Sequence, residues 1–201
     1  MLRIICVVFF RLRVFGAENV PKRGPFILAC NHQSYLDPIL CGVRLKRRLW
    51  FLARESLFGN WFFRRLICSL GALPLKPGRA DVHAFRTVLA LLKEGKGICL
   101  FPEGTRTSDG RIAMLKPGLG LLCRRGNAVI VPAVIDGAFE CWPRDKKMFS
   151  FGPIRVAYGE PIRAEQALEV GDEEFAELLT ETLRRMQNEL RTKVGKEPFS
   201  Y

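Results

Sequence analysis

Histidine is the side chain most often used to move a proton near neutral pH, and the sequence contains two. One of them, His83, shares a basic helix face with Arg86, so we interpret it as a surface residue. The other, His32, lies in segment 31–38, which has the sequence Asn-His-Gln-Ser-Tyr-Leu-Asp-Pro. This segment directly follows the apolar run 26–30, and α/β sheets place their binding crevices at the ends of such runs. His32 is therefore the candidate general base.

Asp37 is the candidate partner of this histidine. It comes five positions later, across a short loop, so its carboxylate can reach back to the imidazole and fix its tautomer. The second ring nitrogen is then available to take a proton from a hydroxyl group. An Asp followed by Pro38 is also a typical helix start, with Asp as the N-cap and Pro in the first turn. The spacing leaves both roles of Asp37 open.

A second polar segment, 101–107 (Phe-Pro-Glu-Gly-Thr-Arg-Thr), follows another apolar run. Gly104 permits a tight turn with exposed backbone N–H groups, Thr105 offers a hydroxyl group, and Arg106 carries a forked cation suited to phosphate oxygens. These features favour an anion-binding site. The alternative is a polar turn in which Glu103 and Arg106 form an ion pair.

Short apolar runs alternate with amphipathic segments along the chain, which is typical of α/β proteins. We predict a single domain with a mostly parallel or mixed sheet of about seven strands flanked by helices. The clearest helices are Asp81–Glu94 and Asp172–Lys193, because their apolar residues recur at helical spacing. Within this domain we expect a short apolar N-terminal segment (1–11), a core (12–163), and a C-terminal helix with its tail (164–201). The predicted strands are Leu12–Phe15, Phe26–Cys30, Leu49–Ala53, Ala72–Leu75, Gly97–Phe101, Val129–Val134 and Ile154–Tyr158.

The sequence has 32 basic and 20 acidic residues, which give a formal net charge of +12. The basic excess lies before Glu160, because the segment that starts there is acidic overall. Such a charge attracts nucleic acids, anionic bilayers or phosphorylated small molecules. A nucleic-acid partner is disfavoured, since the sequence has no helix-turn-helix, zinc or aromatic RNA-binding pattern. Apolar residues make up 48% of the chain, which excludes a mainly disordered protein.

The seven cysteines form no closely spaced metal-binding pair, so we interpret them as reduced core residues and expect no metal site. Reduced thiols favour the cytosol or the cytosolic side of a membrane. No apolar run approaches the ~20 residues of a membrane-spanning helix. The longest, Ile4–Phe10, is bounded by arginines. We expect the protein to lie on a membrane without crossing it.

Four sequence blocks resemble the glycerophospholipid acyltransferase family, typified by 1-acyl-glycerol-3-phosphate acyltransferases. Segment 31–37 resembles the His-x-x-x-x-Asp block of this family, and segment 101–107 matches its third block almost letter for letter. Segments 53–58 and 131–134 look like the second and fourth blocks. The similarity covers most of the chain, from about Leu12 to about Ile162.

The resemblance implies a glycerol-3-phosphate acyltransferase-like fold and the transfer of a fatty acyl group from acyl-CoA or acyl-carrier protein. The acceptor would be the free hydroxyl of 1-acyl-glycerol-3-phosphate (lysophosphatidate), so that the product is phosphatidic acid. No cofactor beyond these co-substrates is implied. The alternative within the family is transfer to another lysolipid or to an amine-bearing acceptor. Outside catalysis, the alternative is a module that binds anionic lipids.

By the same resemblance, His32 would be the general base and Asp37 its orienting partner. The acceptor phosphate would be held by Arg106 and Lys76, in a pocket shaped by Glu103, Gly104 and Thr105. A possible acceptor or donor pocket would include Asn31, Arg54 and Pro132.

Trp61, Phe62 and Phe63 are followed by two arginines, and aromatic rings beside cations suit the headgroup region of a bilayer. We expect these rings and the run Ile4–Phe10 to face an anionic membrane surface on the cytoplasmic side of the cell membrane. The chain departs from the family here, because segment 61–64 replaces a typical Pro/Gly stretch. It also has Ser56 where many members have Glu.

Overall fold

The computed structural model describes residues 2–75, 80–163, 165–166 and 170–201. Within these ranges, seven strands and seven α-helices follow one another along the chain. The strands are β1 (Arg13–Phe15), β2 (Phe26–Cys30), β3 (Leu49–Arg54), β4 (Ala72–Leu75), β5 (Gly97–Leu100), β6 (Val129–Asp136) and β7 (Arg155–Tyr158). The helices are α1 (Leu2–Phe9), α2 (Asp37–Gly42), α3 (Trp61–Ser69), α4 (Ala80–Lys93), α5 (Leu119–Gly126), α6 (Ala138–Cys141) and α7 (Asp172–Lys193).

The strands form one mixed sheet with the order β1-β7-β6-β2-β5-β3-β4. The five neighbouring strands from β6 to β4 in this order are parallel. Strand β7 is antiparallel to β6, and β1 is parallel to β7 at one edge of the sheet. Parallel strands end at the same edge of a sheet, so the loops after β2, β5, β3 and β4 lie side by side.

Two apolar cores cover the two faces of the sheet. Because side chains alternate along a strand, Phe26 and Leu28 of β2 face one core, and Ile27 and Ala29 face the other. The first core includes residues of α1, α2, α3 and α6, and the second includes residues of α4, α5 and α7. Strand β2 is buried on both faces, which explains why its sequence is apolar throughout.

Helices α1 and α3 expose large apolar side chains in the same layer. In α1, Ile4 and Val8 are exposed while Cys6 is buried. In α3, Trp61 and Phe62 are each 72% exposed while Ile67 is buried. Within the described ranges, no helix has the length and apolar character needed to span a membrane.

The predicted α/β class is confirmed, and all seven predicted strands are present. Some predicted ends are wrong by one or two residues. Leu12 is not part of β1, because its N–H bonds to the carbonyl oxygen of Cys6 at the end of α1 (3.2 Å). Strand β6 continues past Val134 to Asp136, because it gains a second partner in β7.

Candidate active site

The two polar segments meet at the C-terminal edge of the sheet, because they follow the parallel neighbours β2 and β5. The N–H of Thr107 donates to the carbonyl oxygen of His32 at 2.8 Å. The N–H of His32 donates to Oε1 of Glu103 at 2.7 Å. The backbone of His32 is therefore held on both sides by the segment that follows β5.

The structure brings the side chains of His32 and Asp37 together, with 2.8 Å between Nδ1 and Oδ2. The Asp37 side chain is fully buried, and the His32 side chain is 21% exposed. The imidazole stacks on the ring of Phe101, with 4.1 Å between centroids and 17° between planes. Within the described part of the chain, Nε2 of His32 has no hydrogen-bond partner. It is the ring nitrogen available to a substrate.

Asp37 does not cap helix α2. The N-cap is Leu36, and no side chain caps this helix. The carboxylate turns back into the loop instead, where Oδ2 accepts hydrogen bonds from the N–H groups of Gln33 (2.6 Å) and Ser34 (2.7 Å). The N-cap interpretation is therefore wrong, because Asp37 is already the first helical residue. Three donors on one oxygen, including His32 Nδ1–H, fix the carboxylate against the imidazole.

The other polar side chains of this loop are buried and bonded internally. The side-chain amide of Asn31 donates to the carbonyl oxygen of Ile135 at 3.0 Å, and its Oδ1 accepts from the N–H of Ile135 at 2.7 Å. Gln33 Nε2 donates to the carbonyl oxygen of Gly110 (3.0 Å). The amide of Asn31 thus joins the end of β2 to β6, and its expected place in an acceptor or donor pocket stays a prediction.

Glu103 is buried and has both carboxylate oxygens occupied. Oε1 accepts from His32 N–H, and Oε2 accepts from the N–H of Ala113 at 3.0 Å. Burial raises the pKa of this carboxyl group, and the two backbone hydrogen bonds offset part of the rise. Glu103 holds the loop of His32 in place. Its expected part in shaping the phosphate pocket stays a prediction.

Arg106 does not pair with Glu103. Its guanidinium carbon lies 3.5 Å from the ring centroid of Tyr35, a cation–π contact. Its Nη1 is buried and has no hydrogen-bond partner in the described ranges. An unpaired buried donor is costly, so an anionic ligand at this position gains a hydrogen bond that the protein does not supply.

The turn between Glu103 and Arg106 is formed by Gly104 and Thr105. Gly104 has φ +74°, which favours glycine, and a Cβ at this position would lie 2.9 Å from Cε and Nζ of Lys116. Lys116 therefore lies against the turn, and it forms no ion pair in the part of the chain that the structure describes. The sequence analysis missed this residue. The signal was a basic residue before Pro117-Gly118 and helix α5.

Of the other predicted site residues, Arg54 is exposed at the C-terminal end of β3, two strands from β2. Pro132 is buried in β6 opposite Ala29, and its place in an acceptor or donor pocket stays a prediction. Lys76 lies outside the described residues, as does the side chain of Phe63. No group of three or more His, Cys, Asp or Glu residues in the described ranges could hold a metal ion.

The arrangement of two loops at the end of a parallel sheet can be compared with known proteins. The family model "Acyltransferase" matches residues 11–136, which include His32, Asp37 and segment 101–107. This chain belongs to the acyltransferase family. The acyltransferase is 29% identical over 194 residues to the 1-acyl-sn-glycerol-3-phosphate acyltransferase of Bacillus subtilis, which covers 96% of this chain and 94% of that protein.

A second similar relative is the 1-acyl-sn-glycerol-3-phosphate acyltransferase of Saccharomyces cerevisiae, 30% identical over 183 residues. The match covers 83% of this chain and 56% of the yeast protein. Among solved structures, the acyltransferase resembles the 1-acyl-sn-glycerophosphate (LPA) acyltransferase PlsC from Thermotoga maritima. The TM-score is 0.78 and the identity 29%, over 89% of this chain and 71% of that one. The predicted family and enzyme class are confirmed.

Proposed function

We propose that this acyltransferase moves a fatty acyl group from acyl-CoA or acyl-carrier protein to the free hydroxyl of 1-acyl-glycerol-3-phosphate. The product is phosphatidic acid, an intermediate of phospholipid biosynthesis. The observation that carries the proposal is the 2.8 Å contact between His32 Nδ1 and Asp37 Oδ2, which leaves Nε2 open at the edge of the sheet. The names of the relatives from Bacillus subtilis and Saccharomyces cerevisiae support the acceptor.

In this mechanism, His32 Nε2 takes the proton of the acceptor hydroxyl as its oxygen attacks the thioester carbonyl carbon. Asp37 fixes the imidazole with Nε2 outwards and stabilises the imidazolium that forms. The carbon–sulfur bond then breaks as the ester forms, and the departing thiolate recovers the proton from His32. The reaction therefore needs no reactant besides the acyl donor and the acceptor, and His32 returns to its neutral form at the end.

Arg106 and Lys116 supply the charge for the acceptor phosphate. Arg106 offers the unpaired Nη1, and Lys116 lies against the turn at Gly104. A guanidinium and an ammonium group together suit a phosphomonoester dianion. Lys76, which follows β4 in the sequence, is proposed as a further ligand from the family resemblance.

We place the enzyme at the cytoplasmic surface of the cell membrane as a peripheral protein. The exposed side chains of α1 and the rings of Trp61 and Phe62 are apolar groups available to a bilayer. Phe63 is proposed as a membrane-facing residue from the sequence alone. The net charge of +12 favours an anionic surface.

A radiolabelled acyl-transfer assay with both donors and several acceptors tests this function. The His32→Ala variant should lose roughly 10²–10⁴-fold in turnover, because it lacks the base. His83→Ala is the matched control, since His83 is exposed on α4 and its hydrogen bonds within the described residues are to Thr87. Equal losses in two folded variants would exclude His32 as the base. Good turnover of a phosphate-free lysolipid or an amine would replace the proposed acceptor. Absence of turnover in the wild type with every donor and acceptor would leave only a lipid-binding role.

A further inference from the structure

Five aromatic rings form a continuous row from helix α1 to the candidate active site. Their ring centroids lie 4.9 Å apart between Phe9 and Phe151, and 5.5 Å apart between Phe151 and Phe149. The row continues from Phe149 to Trp142 (5.6 Å) and from Trp142 to Tyr35 (5.2 Å). Tyr35 is the ring that contacts the guanidinium group of Arg106. We call these five residues the aromatic row.

Much of this row faces solvent. Phe151 is 61% exposed, and Phe9, Phe149 and Tyr35 are each close to half exposed. Met148, next to Phe149 in the chain, is 81% exposed. Single exposed apolar side chains are common on soluble proteins, whereas a contiguous exposed patch indicates a surface that binds a partner.

The charges beside the aromatic row indicate which partner. Arg144, Lys146 and Lys147 precede Met148, and Arg11 follows α1; all four are exposed. None of the four forms an ion pair within the described residues. Aromatic and aliphatic groups beside unpaired cations suit the boundary between headgroups and acyl chains, where Trp and Tyr are enriched. Each such cation adds electrostatic attraction to an anionic leaflet.

We propose that the aromatic row, Met148 and the cations of segment 144–147 form the surface that this enzyme inserts into an anionic bilayer. With the row in the interface, Arg106 lies at headgroup level beside Tyr35. An acceptor anchored by its acyl chain can then present its phosphate to Arg106 while it remains in the membrane. The acceptor part of this inference rests on the proposed function, and the insertion part does not.

Trp142 provides a probe within the row. The protein has three tryptophans, so the double variant Trp50→Phe and Trp61→Phe leaves Trp142 as the only one. We expect the fluorescence of Trp142 to be quenched when this variant binds vesicles of equal parts phosphatidylglycerol and phosphatidylcholine with brominated acyl chains. Vesicles of phosphatidylcholine alone should bind little protein. Unquenched Trp142 on vesicle-bound protein overturns the proposal.

Two variants test the same surface without the probe. Met148→Ser combined with Phe151→Ser should lower partition to the anionic vesicles by about tenfold or more, because the bilayer then loses two of the exposed apolar groups proposed to insert into it. Leu178→Ser, at an exposed position of α7 in the other layer, is the matched control and should partition as the wild type does. Phe151 contacts Phe9 and Phe10, so its replacement can also disturb packing. The double variant Lys146→Glu and Lys147→Glu avoids this, because it changes only exposed charges, and it should also lower partition to the anionic vesicles.

Wild-type partition in both variants would refute the proposed surface. For the acceptor, the ratio of turnover with vesicle-embedded lysophosphatidate to turnover with a short-chain soluble analogue should fall in these variants. An unchanged ratio, with reduced partition, would refute delivery from the membrane. Absence of turnover with both acceptors in the wild type would instead reject the proposed function and leave the insertion surface in place.

Discussion

In the loop after β2, the side chains of Asn31, Gln33 and Asp37 all bond to other parts of the protein, whereas Nε2 of His32 has no hydrogen-bond partner within the described residues. Asp37 receives two backbone N–H groups besides the imidazole. The loop is thus a scaffold that fixes the direction of one ring nitrogen. A substitution at Asp37 should therefore reduce turnover by altering the orientation of the His32 ring.

We expect Asp37→Asn to reduce turnover by about 10³-fold or more, because an amide neither fixes the same tautomer nor stabilises the imidazolium. The Asn oxygen can still accept from Gln33 and Ser34, so the variant should remain folded. Steady-state kinetics and circular dichroism check both points. A folded variant with wild-type turnover would contradict the role of Asp37.

Glu103 should make stability depend on pH. Burial raises the pKa of its carboxyl group in the folded state, so the folded protein holds this proton more tightly than the unfolded chain. The favourable contribution is complete below the unfolded pKa of about 4.3 and is lost as the pH rises through the folded pKa. Glu103→Gln removes this titration.

Urea unfolding of the wild type and of Glu103→Gln between about pH 4 and pH 8 checks the direction of this effect. The free energy of unfolding of the wild type should fall relative to that of the variant as the pH rises. A relative rise would mean that the two backbone hydrogen bonds outweigh burial.

Arg106→Lys keeps the charge and loses the planar fork, so it should reduce turnover of lysophosphatidate by about tenfold or more. Arg111→Lys is the matched control, since Arg111 is exposed and its ion pair within the described residues is with Asp109 at 3.5 Å. The loss should appear in kcat as well as KM, because a misplaced phosphate also misplaces the hydroxyl group. Equal effects of the two substitutions on lysophosphatidate would argue against a phosphate contact at Arg106.

Among the elements, α7 and the segment after it are held to the end of β6 by a buried carboxylate. Asp136 bonds to Arg191 and Lys196, both at 2.7 Å, and is 1% exposed. The N–H of Ile112 also donates to the hydroxyl oxygen of Tyr201 (3.2 Å), so this segment contacts the loop of Glu103. The C-terminal residues therefore support the candidate active site although they lie outside the two polar segments 31–38 and 101–107.

Asp136→Asn should lower the free energy of unfolding by about 3 kcal/mol, because it leaves two cations without their shared buried partner. Glu140→Gln removes the exposed partner of Lys196 and should cost about 1 kcal/mol or less. Urea unfolding compares the two. Similar losses of unfolding free energy in the two variants would show that the burial of Asp136 does not set the strength of its ion pairs.

Elements with strong periodic or uniform apolar patterns were predictable, such as Phe26–Cys30 and Asp172–Lys193. Helices α3 and α6 were not, because α3 exposes aromatic rings and α6 has four residues. The proximity of His32 and segment 101–107 was predictable, because the carboxyl ends of neighbouring parallel strands lie at the same edge of a sheet. The contacts of Asn31 with Ile135 could not follow from the sequence, since they depend on strand order.

At the scale of the whole molecule, the predicted organisation as one domain has a direct test. Phe10 belongs to one core and Phe175 to the other, and both cores share one sheet. Thermal unfolding by calorimetry should therefore show one cooperative transition, with equal calorimetric and van't Hoff enthalpies. Two transitions would contradict a single domain.

The net charge of +12 should make membrane binding sensitive to salt. Exposed charges are screened beyond about 8 Å at physiological ionic strength, and more strongly above it. Sedimentation with anionic vesicles should therefore show release as salt is raised. Retention that only detergent reverses would mean that inserted apolar groups dominate over charge.

The position of β1 has a consequence for synthesis on the ribosome. Arg13 of β1 pairs with Arg155 of β7, so β1 is made long before its partner strand. At about 5–20 residues per second, β1 and the apolar helix before it wait many seconds for β7. The central pair β2 and β5 is complete much earlier. During this interval the nascent chain exposes an unpaired edge strand beside apolar side chains, so a trigger-factor type chaperone or the membrane itself has time to bind it before the sheet closes.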